Sequence, residues 1–242
     1  MSLVLHKRGE CENAYSKLTE QNYDNTKCLL LHCKNSGQLN PEDVTFNDKT
    51  WLENSADLLG INHTCIVIDK PYTTFAYTDK IPYFLIHLKN MTHEYVLIAD
   101  SVDCIINGNP DDAIELLNNY NCDILYSTTP WNDHDNFTMP ERSKFNDKVF
   151  NNIKLNSGVC IGKVDTLVKL FERVLEYASY EPIRYYHPTY RKKNGYMQWT
   201  AEQLKNFPKG CSDDQTIIRY LVMEFYPRIQ LDTKYKLTSR RG

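Results

Sequence analysis

Short apolar runs that alternate with segments of helical spacing restrict most strongly what this chain can fold into. The runs lie at Lys27 to Cys33, Thr64 to Ile68, Tyr95 to Ala99, Asp123 to Ser127 and Ser157 to Ile161, and each is rich in Val, Ile, Leu or Cys. Such runs suit strands buried on both faces. Among them, Trp51 to Leu59 sets Trp51, Leu52, Ser55, Ala56 and Leu59 on one side of a helix, and Ile81 to Leu88 repeats apolar residues at similar spacing. Pro110 to Leu117 opens on a proline and two aspartates, which favour a helix N-terminus. Asp165 to Tyr177 is the clearest amphipathic segment, with Leu167, Leu170, Phe171, Val174 and Leu175 on one face. Strands alternating with helices predict βαβ units: an α/β fold with a mostly parallel central sheet flanked by helices.

With 242 residues, 41% of them hydrophobic, the chain is long enough for one sizeable core, and residues 1–242 are expected to form a single domain. Residues 1–26 are polar and weakly patterned, an N-terminal extension with no assignable role. Residues 180–207, rich in Tyr, Pro, Arg and Lys, break the rhythm and are expected to be an insertion or acceptor-side segment. A formal charge of -3 points to neither a nucleic acid nor a membrane surface as partner. The eight cysteines contain no CxxC pair, so neither a disulfide framework nor a zinc site is expected. No run approaches the roughly eighteen apolar residues of a membrane span, and no signal-peptide pattern opens the chain. As given it is expected to be soluble and cytoplasmic; a secretory compartment becomes the expectation if an upstream targeting segment has been removed. The start at Met1-Ser2-Leu3 and the end at Arg240-Arg241-Gly242 suggest an excised domain.

Chemistry is concentrated where the third run ends, in Asp100-Ser101-Val102-Asp103. In an open α/β sheet, ligands bind beyond the carboxyl ends of the strands, so both carboxylates are expected in a binding cleft. A carboxylate alone repels a diphosphate; a Mg²⁺ or Mn²⁺ ion between the two turns repulsion into attachment. Taken by itself the motif reads better as a turn started by Asp103 and a cap supplied by Asp100.

The motifs that follow narrow the choice. They are Leu155-Asn156-Ser157-Gly158-Val159-Cys160-Ile161-Gly162, Ser212-Asp213-Asp214-Gln215 and Ile229-Gln230-Leu231-Asp232. In this order the chain resembles the glycosyltransferase domain of the procollagen lysyl hydroxylases and, more distantly, the collagen galactosyltransferases. That family carries a strand ending in DxYD, then LNSGGFIG, DDDQ and LDHK. The resemblance spans roughly residues 27–237, and LNSG followed by DDQ is its specific part.

The resemblance implies a Rossmann-like nucleotide-sugar transferase fold of the GT-A type. It further implies a hexosyltransferase that moves glucose or galactose from a UDP-sugar, with Mn²⁺ or Mg²⁺, to a hydroxyl on a glycan or protein such as a hydroxylysine-linked sugar. By the same resemblance Asp100 and Asp103 hold the metal, with Asp100 and Ser101 at the donor, and Lys80 contacts donor phosphate or base. Trp131 walls the sugar site. Asn156 and Gly158 lie in an acceptor-facing turn before a strand, and Asp213 and Asp214 lie beside the donor sugar. Plainer readings stand beside these: Lys80 as a solvated helix-start lysine, Trp131 as a buried core tryptophan, Asn156 to Gly158 as a simple β-turn, and Asp213 with Asp214 as N-capping and dipole-pairing groups.

One position departs from the pattern. Thr233 stands where the family has a metal-binding histidine, so Asp232 or water must complete the shell, or metal binding is weaker, or catalysis is lost. His187 is a remote substitute. The competing functions are therefore a transferase-like binding domain with weak or no catalysis and, last, a sugar nucleotidyltransferase. The latter normally carries a Gly-rich loop after its first strand, where His32-Cys33-Lys34-Asn35-Ser36-Gly37 has one glycine.

Overall fold

The structure is a computed structural model that describes residues 2–6, 10–37, 49–71, 75–129, 140–151, 153–180 and 209–239. Trp131, His187 and all of 180–207 except Tyr180 lie outside the described residues.

A six-stranded sheet forms the centre. In chain order its strands are β2 (Cys28–Gly37), β3 (His63–Pro71), β4 (Tyr95–Asp100), β6 (Ile124–Thr129), β7 (Lys154–Lys163) and β8 (Ile229–Leu231), arranged β3-β2-β4-β7-β6-β8. A small sheet, ordered β5-β1-β9, joins β1 (Val4–His6), β5 (Cys104–Ile106) and β9 (Thr238–Ser239). The described helices are α1 (Cys11–Tyr15), α2 (Trp51–Leu58), α3 (Lys80–Lys89), α4 (Asp112–Tyr120), α5 (Pro140–Phe150), α6 (Val164–Leu175) and α7 (Asp214–Phe225). None of the described helices is long and apolar enough to cross a membrane.

The α/β class agrees with the strand and helix periodicities, and the sheet is mostly parallel as expected, with one reversed strand. Strand β7 runs against both its neighbours, β4 and β6, while β2–β3, β2–β4 and β6–β8 are parallel, so the sheet is mixed. Direction was not legible because a strand buried on both faces carries the same apolar run whichever way it points. The N-terminal segment is likewise more than an extension: β1 is the middle strand of the small sheet, and Val4 is fully buried. Three residues are too few to display a period.

Side chains alternate across β4. Val96 and Ile98 join the cluster under α3, α6 and α7, whereas Leu97 and Ala99 join the one under α2 and α4. Phe84 of α3 stacks on Phe171 of α6 with ring centroids 6.2 Å apart. Each such side chain, fully buried, contributes about 1.5–3 kcal/mol. The central strands are thereby fixed on both faces, and the carboxyl ends of β2 and β4, with the first half of β7 beside them, become a rigid edge from which loops project.

Candidate active site

Three local devices bring distant residues to that edge. Strand β4 pairs in parallel with β2, with Asp100 opposite Cys33, so the last residue of β4 emerges at the sheet's carboxyl end. The start of α3 is held by Asp79, which accepts from the Ala76 N–H at 2.7 Å and from the Lys70 ammonium at 2.7 Å. Thr78 then ties this start to the loop before α7: its N–H donates to Ser212 O at 3.2 Å and its hydroxyl to Ser179 O at 2.5 Å.

The result is a meeting of Lys80, Asp100 and Asp214. The Lys80 ammonium lies 3.1 Å from Asp214 Oδ2 and 3.5 Å from Asp100 Oδ1. Lys80 is not a solvated helix-start lysine, since only 12% of its side chain is exposed, and Asp214 is still more buried at 4%. Asp100, 39% exposed, forms the open side of the group. Although burial alone would lower it, the Asp214 and Asp100 carboxylates hold the Lys80 ammonium well above its usual pKa. Burial pushes the Asp214 carboxyl up to about 6; Lys80 pulls it down, and Asp213 and Asp100 push it up. Two carboxylates against one ammonium leave a net negative charge, which repels a bare phosphate and attracts a cation.

The two motifs that carry the resemblance are joined by one side chain. Gln215 Oε1 accepts from Asn156 Nδ2 at 3.1 Å and from the Ser157 N–H at 3.1 Å. Asn156, Ser157 and Gly158 are not in a turn before a strand; they lie inside β7, where Tyr126 pairs with Cys160 but Ser127 with Asn156. Ser157 to Val159 are therefore extra residues relative to β6, and bulges of this kind commonly redirect a strand beside a functional site. Asn156 builds this bulge: its Oδ1 accepts from the Gly158 N–H at 3.1 Å and from the Ser127 hydroxyl at 3.2 Å. Gly158 stands one residue beyond the Ala99–Val159 pair, beside the end of β4. No periodicity marks Gln215, so sequence reasoning gave it no place in the site.

Other expected site residues are engaged elsewhere. Asp213 caps α7, accepting from Gln215 N at 3.3 Å and from the Thr216 hydroxyl at 2.5 Å. Ser101 is 2% exposed and turns inward, with its hydroxyl 3.0 Å from His32 Nδ1 and 2.9 Å from Thr50 Oγ1. Asp232 is fully buried: its Oδ1 accepts from the Tyr120 hydroxyl at 3.1 Å and its Oδ2 from the Leu237 N–H at 2.6 Å. Thr233 Oγ1 lies 3.4 Å from the same tyrosine hydroxyl. Asp232 thus locks the turn after β8, three strand positions from β4, or about 14 Å at ordinary strand spacing. It does not join the Lys80 group. Asp103, half-buried, lies in the bend between β4 and β5.

Among the described residues no three His, Cys, Asp or Glu side chains gather into a metal-holding set. A Mg²⁺-type ion that bridges to phosphate takes one or two protein carboxylates, with water and phosphate oxygens completing its shell. Asp100 and Asp103 supply that number on one bend, so the donor set fits such an ion. Between Lys80, Asp100, Tyr126, Ser157 and Asp214 lies a crevice of about 10 Å³, room for roughly one water. A whole nucleotide does not enter there; a ligand would lie over the open Asp100 side. No protein-family model matches the chain, and no curated protein matches it significantly either.

Proposed function

We propose that this chain is a divalent-cation-dependent glycosyltransferase of the GT-A type, moving a hexose from a UDP-sugar to a hydroxyl acceptor. The observation that carries the reading is the meeting of Lys80, Asp100 and Asp214, three positions scattered through the sequence and singled out by the resemblance, with both carboxylates within 3.5 Å of the Lys80 ammonium at the carboxyl edge of the sheet. The bridge by Gln215 from DDQ to LNSG adds to it.

In this reading Asp100 and Asp103 hold the cation, which offsets the charge of the diphosphate when bound. Lys80, paired with both carboxylates, holds Asp100 and Asp214 in fixed positions beside the donor. Asp214, with its carboxyl raised toward 6 by burial, is placed to accept a hydrogen bond from a sugar hydroxyl as the glycosidic bond breaks. The bulge that follows Asn156 brings Ser157 to the wall of the crevice.

UDP with Mn²⁺ is expected to raise the melting temperature by several degrees over the protein with Mn²⁺ alone, since free ligand at a hundred times its Kd stabilises by about 2.7 kcal/mol. UDP with a chelator is expected to give little shift. Equal shifts in both conditions would exclude a cation bridge.

One observation favours a second reading, a binding domain of the same fold with little catalysis. Asp232 is occupied internally and Thr233 offers a poor metal ligand, so the cation depends on the bend alone. Release of free hexose from UDP-glucose or UDP-galactose with Mn²⁺ separates the two readings. Binding without turnover would favour the second.

A further inference from the structure

Behind the Asp100–Asp103 bend runs a chain of hydrogen bonds that the proposed reaction does not use. Asp57 Oδ1 lies 3.2 Å from His63 Nε2, His63 Nδ1 lies 3.1 Å from His32 Nε2, and His32 Nδ1 lies 3.0 Å from the Ser101 hydroxyl. Ser101 continues to Thr50 Oγ1 at 2.9 Å, and Thr50 accepts from Glu53 N–H at 3.3 Å. A carboxylate only accepts, so with both imidazoles neutral the chain runs in one direction. His63 donates from Nε2 and accepts at Nδ1; His32 donates from Nε2 and accepts at Nδ1 from the Ser101 hydroxyl; Ser101 accepts from Thr50. His32 is fully buried, and burial, with the neighbouring His63, lowers its imidazole to about 3, so it stays neutral and its hydrogen-bond partners select its tautomer.

The same helix grips the bend at its far side. The Ile106 N–H of β5 donates to Ser55 Oγ of α2 at 3.0 Å. The segment carrying Asp100 and Asp103 is thus fastened to α2 at Ser101 and again at Ile106, and His32 links it to β2.

We propose that His32 is a positioning residue: by accepting from the Ser101 hydroxyl it fixes the Asp100–Asp103 bend and so sets its affinity for a cation-bridged diphosphate, although it touches no ligand. This rests on the cation-bridged reading given above. A carboxylate pair displaced by about an ångström no longer meets the near-octahedral geometry such ions demand, and buried partners commonly set metal affinity by 10–100-fold.

Two amides divide the imidazole's roles. His32→Asn keeps an oxygen near the Nδ1 position, facing Ser101, and loses the link to His63; His32→Gln reaches the Nε2 position and loses Ser101. Both bury one half-satisfied amide, so their stability losses are expected to be similar. Ser101→Ala, which deletes a single hydroxyl, keeps the test available if either His32 variant fails to fold. Calorimetry of UDP with Mn²⁺ is expected to give His32→Asn within about threefold of wild type, and His32→Gln and Ser101→Ala at least tenfold weaker. Equal losses in the two His32 variants, or wild-type affinity in all three, would overturn the proposal while leaving the cation bridge standing. A wild-type protein with no Mn²⁺-dependent UDP affinity would remove the bridge and the proposal together.

Discussion

Asp214→Asn is expected to lower hexose transfer and donor hydrolysis by on the order of 10²-fold while changing the affinity for UDP less than about threefold. Asp214 sits in the crevice and is all but excluded from solvent, whereas Asp100 forms the open side where a diphosphate can approach. A contact made mainly as the glycosidic bond breaks affects turnover and spares ground-state binding. The pH dependence of stability supplies an independent check. The folded Asp214 carboxyl lies near 6, above the ordinary carboxylate value, so its ionisation costs the native state stability as pH rises from about 4 to about 6. Asn carries no such cost, so the melting temperature of the variant relative to wild type is expected to climb over that interval. A difference that stays flat would mean that Asp214 ionises as easily folded as unfolded.

Lys80→Met is expected to have the larger effect on the fold. It leaves Asp214 buried against Asp100 with no cation between them, a situation that costs about 3–5 kcal/mol. For a domain of this size the drop in melting temperature is on the order of 10 °C. The sign with pH follows from the same carboxyl. Without Lys80 the folded pKa of Asp214 moves further up, so the loss relative to wild type is expected to be greater at pH 8 than at pH 5, where Asp214 takes up a proton. Thermal melts at the two pH values measure this. A deficit that shrinks as pH rises would contradict the ion pair, and donor turnover is expected to vanish in either case.

Much of the scaffold was legible in the sequence, because α2, α3, α4 and α6 carry amphipathic periods and β2, β4 and β6 are dense apolar runs. Lys80, Asp100 and Asp214 were also legible as positions, through motif order. What they do to one another was not, since an ion pair across 134 residues of chain leaves no local signal. The direction of β7 was invisible for the reason given above, and the bulge at Asn156 was mistaken for a turn because Asn-Ser-Gly is turn chemistry in either setting. His32 is one polar residue in an apolar run and carries no local signal; its partners His63 and Ser101, and Thr50 beyond Ser101, come from three other segments. Asp232 was assigned to a metal by analogy with its neighbour's place in the family motif, whereas its oxygens close the turn to Leu237.

The most direct measurement is a crystal soaked with UDP and Mn²⁺, with data collected at the manganese absorption edge. The expected result is an anomalous peak about 2–2.5 Å from carboxylate oxygens of Asp100 and Asp103, with the diphosphate on its far side and Lys80 still paired with Asp214. Manganese bound elsewhere, or UDP held at another face with the Asp100–Asp103 bend unengaged, would contradict it.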